Sequence, residues 1–261
     1  MRVLITGAAG HIGREIVSEL KPMHELCLID RIPVPDSASI VADLAEVRGR
    51  SLLRPWSKSR PLHWMRAFEG VDVVLHLAAN RSPQASWEKV LRDNINATWN
   101  VCEAAVKHSV PRVVFASSNH AVKALELEQA PACYMPSGPK IDSDCGPCPL
   151  TPYGISKAAG EVIGQALVTE GTLQSFVAVR IGFFSPTPPK DSPLRNLWIS
   201  PGDIRSLLQR CIEAQFSRFH VVYGVSAQPT SPYNLSHTCN LLSWRPGGQI
   251  DSQVCDTGVS Y

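Results

Sequence analysis

Three glycines behind an apolar strand constrain this chain more than any other feature. Residues 3–13 read VLITGAAGHIG, which puts Gly7, Gly10 and Gly13 at G-x-x-G-x-x-G spacing. Residues without Cβ permit a tight strand-to-helix turn, let backbone approach a ligand closely, and let the helix pack on the strand. The helix that follows presents the free N–H groups of its first turn, a natural seat for phosphate. The next apolar run, LCLID, ends at Asp30, seventeen residues beyond Gly13. Dinucleotide folds place an acid about 20 residues on, where it accepts from the adenosine ribose hydroxyls. Such a carboxylate repels a 2′-phosphate and favours NAD over NADP. Arg31, its neighbour, is a group able to accept that phosphate.

The rest of the chain repeats the same grammar. Strand-like apolar runs recur at 3–6, 26–29, 71–77, 113–116 and 176–179, with a late one at 220–223. Helical patterns occupy 12–20, 87–107 and 153–169. Near-continuous apolar strands alternating with amphipathic helices predict an α/β fold, a parallel sheet covered on both faces. The expected architecture is a Rossmann-type doubly wound parallel sheet with a small C-terminal substrate-binding portion. It forms one domain over 1–261, with a cofactor-binding core at 1–180, the substrate-binding portion at 181–261, and an atypical tail after 246.

Composition removes other classes. The formal net charge is +2 and 44% of residues are hydrophobic, so no global field points to nucleic acid or a membrane surface. No apolar run approaches the ~20 residues of a membrane span. Because MRVLITG already reads as a strand and its turn, the expectation is a cytoplasmic protein with its eight cysteines reduced. Cys145 and Cys148 form CGPC, the letters of a redox motif, but they lie among prolines and aspartates rather than between a strand and a helix. No second C-x-x-C completes a zinc site, so a loop is expected there and no metal. Residues 48–66 carry six Lys/Arg and no acid. They read as a solvated basic loop, with contact to a polyanion as the alternative.

The chemistry is sought at the far end of the sheet. TPYGISK places Tyr153 and Lys157 four residues apart on one helix face, with Thr151 as N-cap and Pro152 in the first turn. An ammonium beside a phenol favours phenolate, so Lys157 is expected to lower the Tyr153 pKa and make it a base. FASSNHA, residues 115–121, ends a strand in Ser118, Asn119 and His120. Such a run is either a turn or an active-site rim, since ligands of open α/β sheets bind outside the carboxyl ends of the strands. With Tyr153 and Lys157 placed after that strand, the rim is the favoured reading.

These motifs, in this order, resemble the extended short-chain dehydrogenase/reductases over residues 1 to about 245. DL at Asp43–Leu44 and HLAA at residues 76–79 complete the pattern. The nearer resemblance is to uronate dehydrogenases, through VVFASSNH, YGISK, VRIG, VVYGVSA and SHTCNLLSWRP. The resemblance implies NAD as cofactor, held by Gly7, Gly10, His11, Ile12, Gly13, Asp30, Arg31, Asp43, Leu44, Leu77, Ala78, Ala79, Asn94, Tyr153, Lys157 and Ile181. It implies Ser118, Tyr153 and Lys157 as the catalytic set, and Ser82, Asn119, His120 and Arg195 as substrate contacts. Arg195 is the expected clamp for a sugar carboxylate. The implied reaction is oxidation of a free hexuronic acid, glucuronate or galacturonate, at C1 to an aldarolactone. Only 81 residues follow Arg180, which suits a small substrate. Alternatives are a sugar-nucleotide epimerase or dehydratase, a sugar-phosphate dehydrogenase, and a non-catalytic NAD-binding homologue. A homo-oligomer through the helices at 87–107 and 153–169 is also implied.

Overall fold

The computed structural model describes residues 1–46, 62–190 and 193–247. The strands are β1 (Arg2–Thr6), β2 (Glu25–Asp30), β3 (Ile40–Val41), β4 (Val73–His76), β5 (Arg112–Ser118), β6 (Ser175–Ile181), β7 (Phe183–Phe184), β8 (Trp198–Ile199) and β9 (Arg218–Gly224). The helices are α1 (His11–Leu20), α2 (Trp87–Val90), α3 (Ala97–Lys107), α4 (Lys123–Glu128), α5 (Pro152–Thr169), α6 (Pro201–Glu213) and α7 (Ser236–Leu242). Seven strands form one parallel sheet in the order β3-β2-β1-β4-β5-β6-β9, and β7 pairs with β8 apart from it. The order reverses between β1 and β4. At that reversal the loops part and leave a crevice at the carboxyl edge.

Two cores cover the sheet. On one face Ile16, Val17 and Leu20 of α1 meet Ile204, Leu207 and Leu208 of α6 over Val3, Ile5 and Val179. On the other, Val101, Ala104 and Ala105 of α3 and the flank of α5 pack on Leu4, Val74, Phe115 and Phe176. The middle strands are buried on both faces, which is why they read as unbroken apolar runs rather than alternations.

Several sequence expectations are corrected. The pattern at 87–107 is not one helix: a π-helical stretch, Leu91–Asn96, separates α2 from α3. β5 does not stop at 116, so Ser117 and Ser118 are strand residues that pair with Arg180 and Ile181 of β6. The end of the basic stretch is core: a short 3-10 helix, His63–Phe68, buries Trp64, Met65 and Phe68. Residues 47–61 of that stretch, and the tail from 248 on, lie outside the described residues. The helix α6 was hidden by its Pro-Gly start, a pair that usually marks a turn. Here Ser200 caps it, accepting from the Asp203 N–H at 3.0 Å, and Pro201 fills the first turn.

A buried ion pair fixes the helix that bears Tyr153. Arg180 on β6 grips Glu161 on α5 through Nη2 at 2.8 Å and Nε at 3.0 Å, and Ser117 Oγ donates to Glu161 at 2.5 Å. All three residues are at most 3% exposed. Removing one partner of such a pair strands a buried charge, so α5 is pinned to β5 and β6.

Candidate active site

The crevice is a cleft of about 1130 Å³ running from the glycine turn past Asp30, across Leu77–Arg81, to Tyr153 and Phe184. Its glycine end follows from local backbone. Gly7 has φ +72°, the left-handed region, and a Cβ there would stand 2.6 Å from the Ala78 nitrogen. A Cβ on Gly13 would lie 2.3 Å from the Gly7 carbonyl oxygen, so α1 could not close on the turn. The first turn of α1 has no side-chain cap and no acidic residue, which leaves its N–H groups to an incoming anion. Asp30 closes this end. Its Oδ2 accepts from the Ala9 N–H at 2.9 Å and its Oδ1 from the Arg31 N–H at 2.6 Å. Its Oδ1 also accepts from the Ile32 N–H at 3.3 Å, and a carboxylate keeps acceptor capacity beyond these three bonds. Turn, uncapped helix and acid fit a dinucleotide.

The tyrosine end is assembled from four loops and the start of α5. Thr151 caps α5, accepting from the Gly154 N–H at 3.1 Å, with Pro152 in the first turn as expected. Tyr153 and Lys157 share the face turned to the cleft. Lys157 Nζ donates to the Ala116 carbonyl at 2.7 Å and lies 5.8 Å from the Tyr153 ring centre. Burial pushes its pKa down to about 7. Burial pushes the Tyr153 phenol up, against a hydrogen bond with Ser118 and the charge of Arg81, which both pull it down. The expected lowering by Lys157 is therefore replaced: Ser118 and Arg81 are the groups that favour phenolate in this geometry. The His120 ring meets Tyr153 edge-on at 5.4 Å. Its Nδ1 is buried without a hydrogen-bond partner among the described residues.

Most of the residues expected from sequence line the cleft: Gly7, Gly10, His11, Ile12, Gly13, Asp30, Arg31, Leu44, Leu77, Ala78, Ala79, Ser82, Ser118, Asn119, His120, Tyr153, Lys157 and Ile181. Three do not. Asp43 sits behind Arg31 in an ion cluster. Asn94 is buried under the wall, where its amide holds both Asn80 backbone groups, at 2.7 and 3.0 Å, and Ser156 Oγ at 2.8 Å. It positions the loop after β4 against α5. Arg195 follows Leu194, which lines the cleft, but its own side chain does not, and Nη1 approaches the Lys190 carbonyl at 3.5 Å.

Two cations at the tyrosine end were not foreseen. Arg81 lines the cleft with Nη1 3.1 Å from His11 Nδ1. Lys123 lines it beside His120 and pairs with Glu126, a fully buried carboxylate also held by Tyr134 and by Tyr233 at 2.7 Å. Neither belongs to a motif; each reaches the cleft through tertiary folding alone. His76 of HLAA is buried, spanning Thr6 at 2.7 Å and Thr98 at 3.1 Å, and burial drives its pKa to about 3. It is a neutral strut between β1 and α3.

Residues 3–199 match the sequence model of the NAD dependent epimerase/dehydratase family. The chain belongs to that family. It is an NAD-dependent oxidoreductase, and the cleft is where the residues fit that cofactor. The chain is 35% identical to an NAD-dependent glucose-6-phosphate dehydrogenase of Haloferax volcanii, over 94% of this chain and 92% of the relative. It is 32% identical to a uronate dehydrogenase of Pseudomonas syringae pv. tomato, over 88% of this chain and 76% of the relative. Among solved structures, a uronate dehydrogenase from Agrobacterium tumefaciens superimposes with a TM-score of 0.75 at 29% identity, covering 95% of this chain and 84% of that one. Among the described residues, no helix is long and apolar enough to cross a membrane.

Proposed function

We propose that the protein oxidises C1 of a free acidic sugar, a hexuronic acid such as glucuronate or galacturonate, to its lactone. The observation that carries this reading is the convergence of Ser118, Tyr153 and Lys157 at one end of the cleft, with Arg81 and Lys123 beside them. NAD, when bound, supplies a hydride acceptor at its nicotinamide. Tyr153 as phenolate takes the C1 hydroxyl proton while the C1–H bonding pair departs as hydride, so C1 becomes the carbonyl carbon of the lactone. Ser118 donates to the phenolate and orients the reacting oxygen. Lys157 is held by one bond to Ala116, and its remaining donors would hold the nicotinamide ribose. Asn119, His120 and Ser82 meet sugar hydroxyls. Arg81 at the mouth meets the acid group, the role the sequence assigned to Arg195.

A sugar-phosphate dehydrogenase is the second reading. The 35% identity to the glucose-6-phosphate enzyme favours it. The test is NAD reduction on glucuronate, galacturonate, glucose 6-phosphate and UDP-glucose, with identification of the lactone. The highest kcat/KM on a uronate supports the first reading. Preference for the phosphate transfers the proposal to the second, and turnover of none of them removes both. Trp87, Leu91, Trp99, Ile155 and Val162 are exposed on the α2–α3 and α5 surfaces, which supports a homo-oligomer there. Sedimentation should then give more than one copy, and Val162→Glu should shift it toward the monomer.

A further inference from the structure

The adenosine end carries a square of four charges that ribose binding by Asp30 does not require. Arg31 Nη2 donates to Asp93 at 2.6 Å and to Asp43 at 3.0 Å, and its Nε reaches the same Asp43 oxygen at 3.3 Å. Arg92 closes the square, donating to Asp93 at 2.6 Å and pairing with Asp43. Asp93 lines the cleft with its side chain only 13% exposed. It stands in the π-helical stretch Leu91–Asn96, an irregularity that recurs at functional sites.

Binding a 2′-phosphate takes a guanidinium with donors to give. Here the Nε and Nη2 edge of Arg31 is turned to two carboxylates of its own chain. The four charges sum to zero, so Asp30 supplies the net field at the ribose. We propose that Asp93, acting with Asp43, is a specificity-determining residue that holds Arg31 away from the 2′ position and so excludes NADP. The proposal rests on the reading that Asp30 meets the adenosine ribose. It takes Arg31 as the group that Asp93 suppresses, not as a cofactor contact.

Calorimetric titration of the full chain with NAD and with NADP tests it without turnover. The wild type should bind NAD at least about tenfold tighter. Asp93→Asn should shrink that preference by about tenfold through tighter NADP binding. Arg31→Ala alone should move the preference by less than about threefold, because the guanidinium is already occupied. In the double variant the gain of Asp93→Asn should disappear, the coupling expected of residues in one network. A preference unchanged by Asp93→Asn overturns the proposal. So does a gain that survives loss of Arg31, or NADP binding weakened by more than about threefold by Arg31→Ala alone. If Asp93→Asn fails to fold, the Arg31→Ala arm still decides. Asp30→Ala separates the underlying reading: an unchanged NAD affinity there would remove the ribose assignment, whatever the Asp93 result.

Discussion

At the glycine end of the cleft the groups come mainly from the ends of two successive strands, Gly7 to Gly13 after β1 and Asp30 to Arg31 at the end of β2. At the tyrosine end they come from the loops after β4, β5 and β6, from the segment before β8, and from the start of α5. The first end is fixed by backbone: a positive φ at Gly7, close approach at Gly13, free N–H groups on α1. The second is fixed by side chains converging from far apart in sequence, held by Glu161–Arg180 beneath and Asn94 at the wall. An end built from one turn leaves little to vary while its ligand stays the same. An end built from loops can change its ligand residue by residue. That division suits a family in which one cofactor meets many sugars. It also predicts that substitutions at the two ends fail differently.

The sharpest test lies at Tyr153. Tyr153→Phe should lower kcat by ~10²–10⁴, the usual reach of a general base, while NAD binding at the other end is kept. Stopped-flow or steady-state rates beside calorimetric NAD affinity will show it. If more than a tenth of the activity survives, the base lies elsewhere. If NAD affinity collapses as well, the two ends are not separable.

Arg81 and Arg195 are the two candidates for the proposed acid-binding role. Arg81→Ala should cut kcat/KM for the acidic sugar by roughly thirtyfold, the low end for removing a partner of a charged group, because Arg81 is exposed at the mouth. The corresponding neutral sugar should lose little, and only through a small rise in the Tyr153 pKa, which Arg81 helps to lower. Arg195→Ala should cost less than about threefold on either substrate. The reverse pattern would return the clamp to Arg195 and place its loop over the cleft in the working enzyme.

The pH profile sharpens the same end. Burial raises the Tyr153 pKa and the Ser118 hydrogen bond lowers it, so the two oppose each other. In the proposed mechanism phenolate is the active form, so kcat/KM should rise with pH through that pKa. Ser118→Ala removes a lowering influence, so the rising limb should move to higher pH. At fixed neutral pH the variant should be slower, and it should recover part of the loss in alkali. A profile that does not move would mean that Ser118 acts on substrate alone.

What could be read from the sequence follows the same line. The turn at Gly7, Gly10 and Gly13, the acid at Asp30, and the pair Tyr153 and Lys157 are each set by local backbone spacing, which a sequence displays. The central strands were legible because burial on both faces leaves them apolar throughout. Arg81, Lys123 and Asp93 were not. Each is a charged residue on a loop or a helix, indistinguishable in sequence from a solvated one until β4, β5 and the π-helical stretch are packed together. Arg195 shows the converse. Its position in a motif was visible, but where its guanidinium points depends on how the loop folds. The direction of the Tyr153 shift was missed for a similar reason: burial outweighs the Ser118 hydrogen bond and the Arg81 charge, and burial is a property of the whole fold.

The smallest expected effect concerns the Cys145–Cys148 pair, which the sequence marks conspicuously and the structure places close to the tyrosine end. Cys148 donates its N–H to the Ala121 carbonyl at 2.7 Å and accepts from the Ala124 N–H at 3.0 Å. Cys145 gives its carbonyl to Arg180 Nη2 at 3.1 Å. The loop therefore braces the segment that carries Asn119 and His120, and braces the Arg180–Glu161 pair. Every one of these bonds uses backbone atoms, which serine supplies equally well. Both thiols are free, and among the described residues no three His, Cys, Asp or Glu gather as a metal site would need. Replacing both cysteines with serine should thus leave kcat/KM within about twofold in reducing buffer, since both are only partly buried and serine is close in size. Pro147, between them, is a different case, because replacing it with glycine loosens the chain rather than a side chain. Pro147→Gly should weaken the brace and lower activity more than the double serine variant does. If the serines are the more damaging change, the thiols do chemistry of their own, and the tyrosine end has a component that its backbone geometry does not explain.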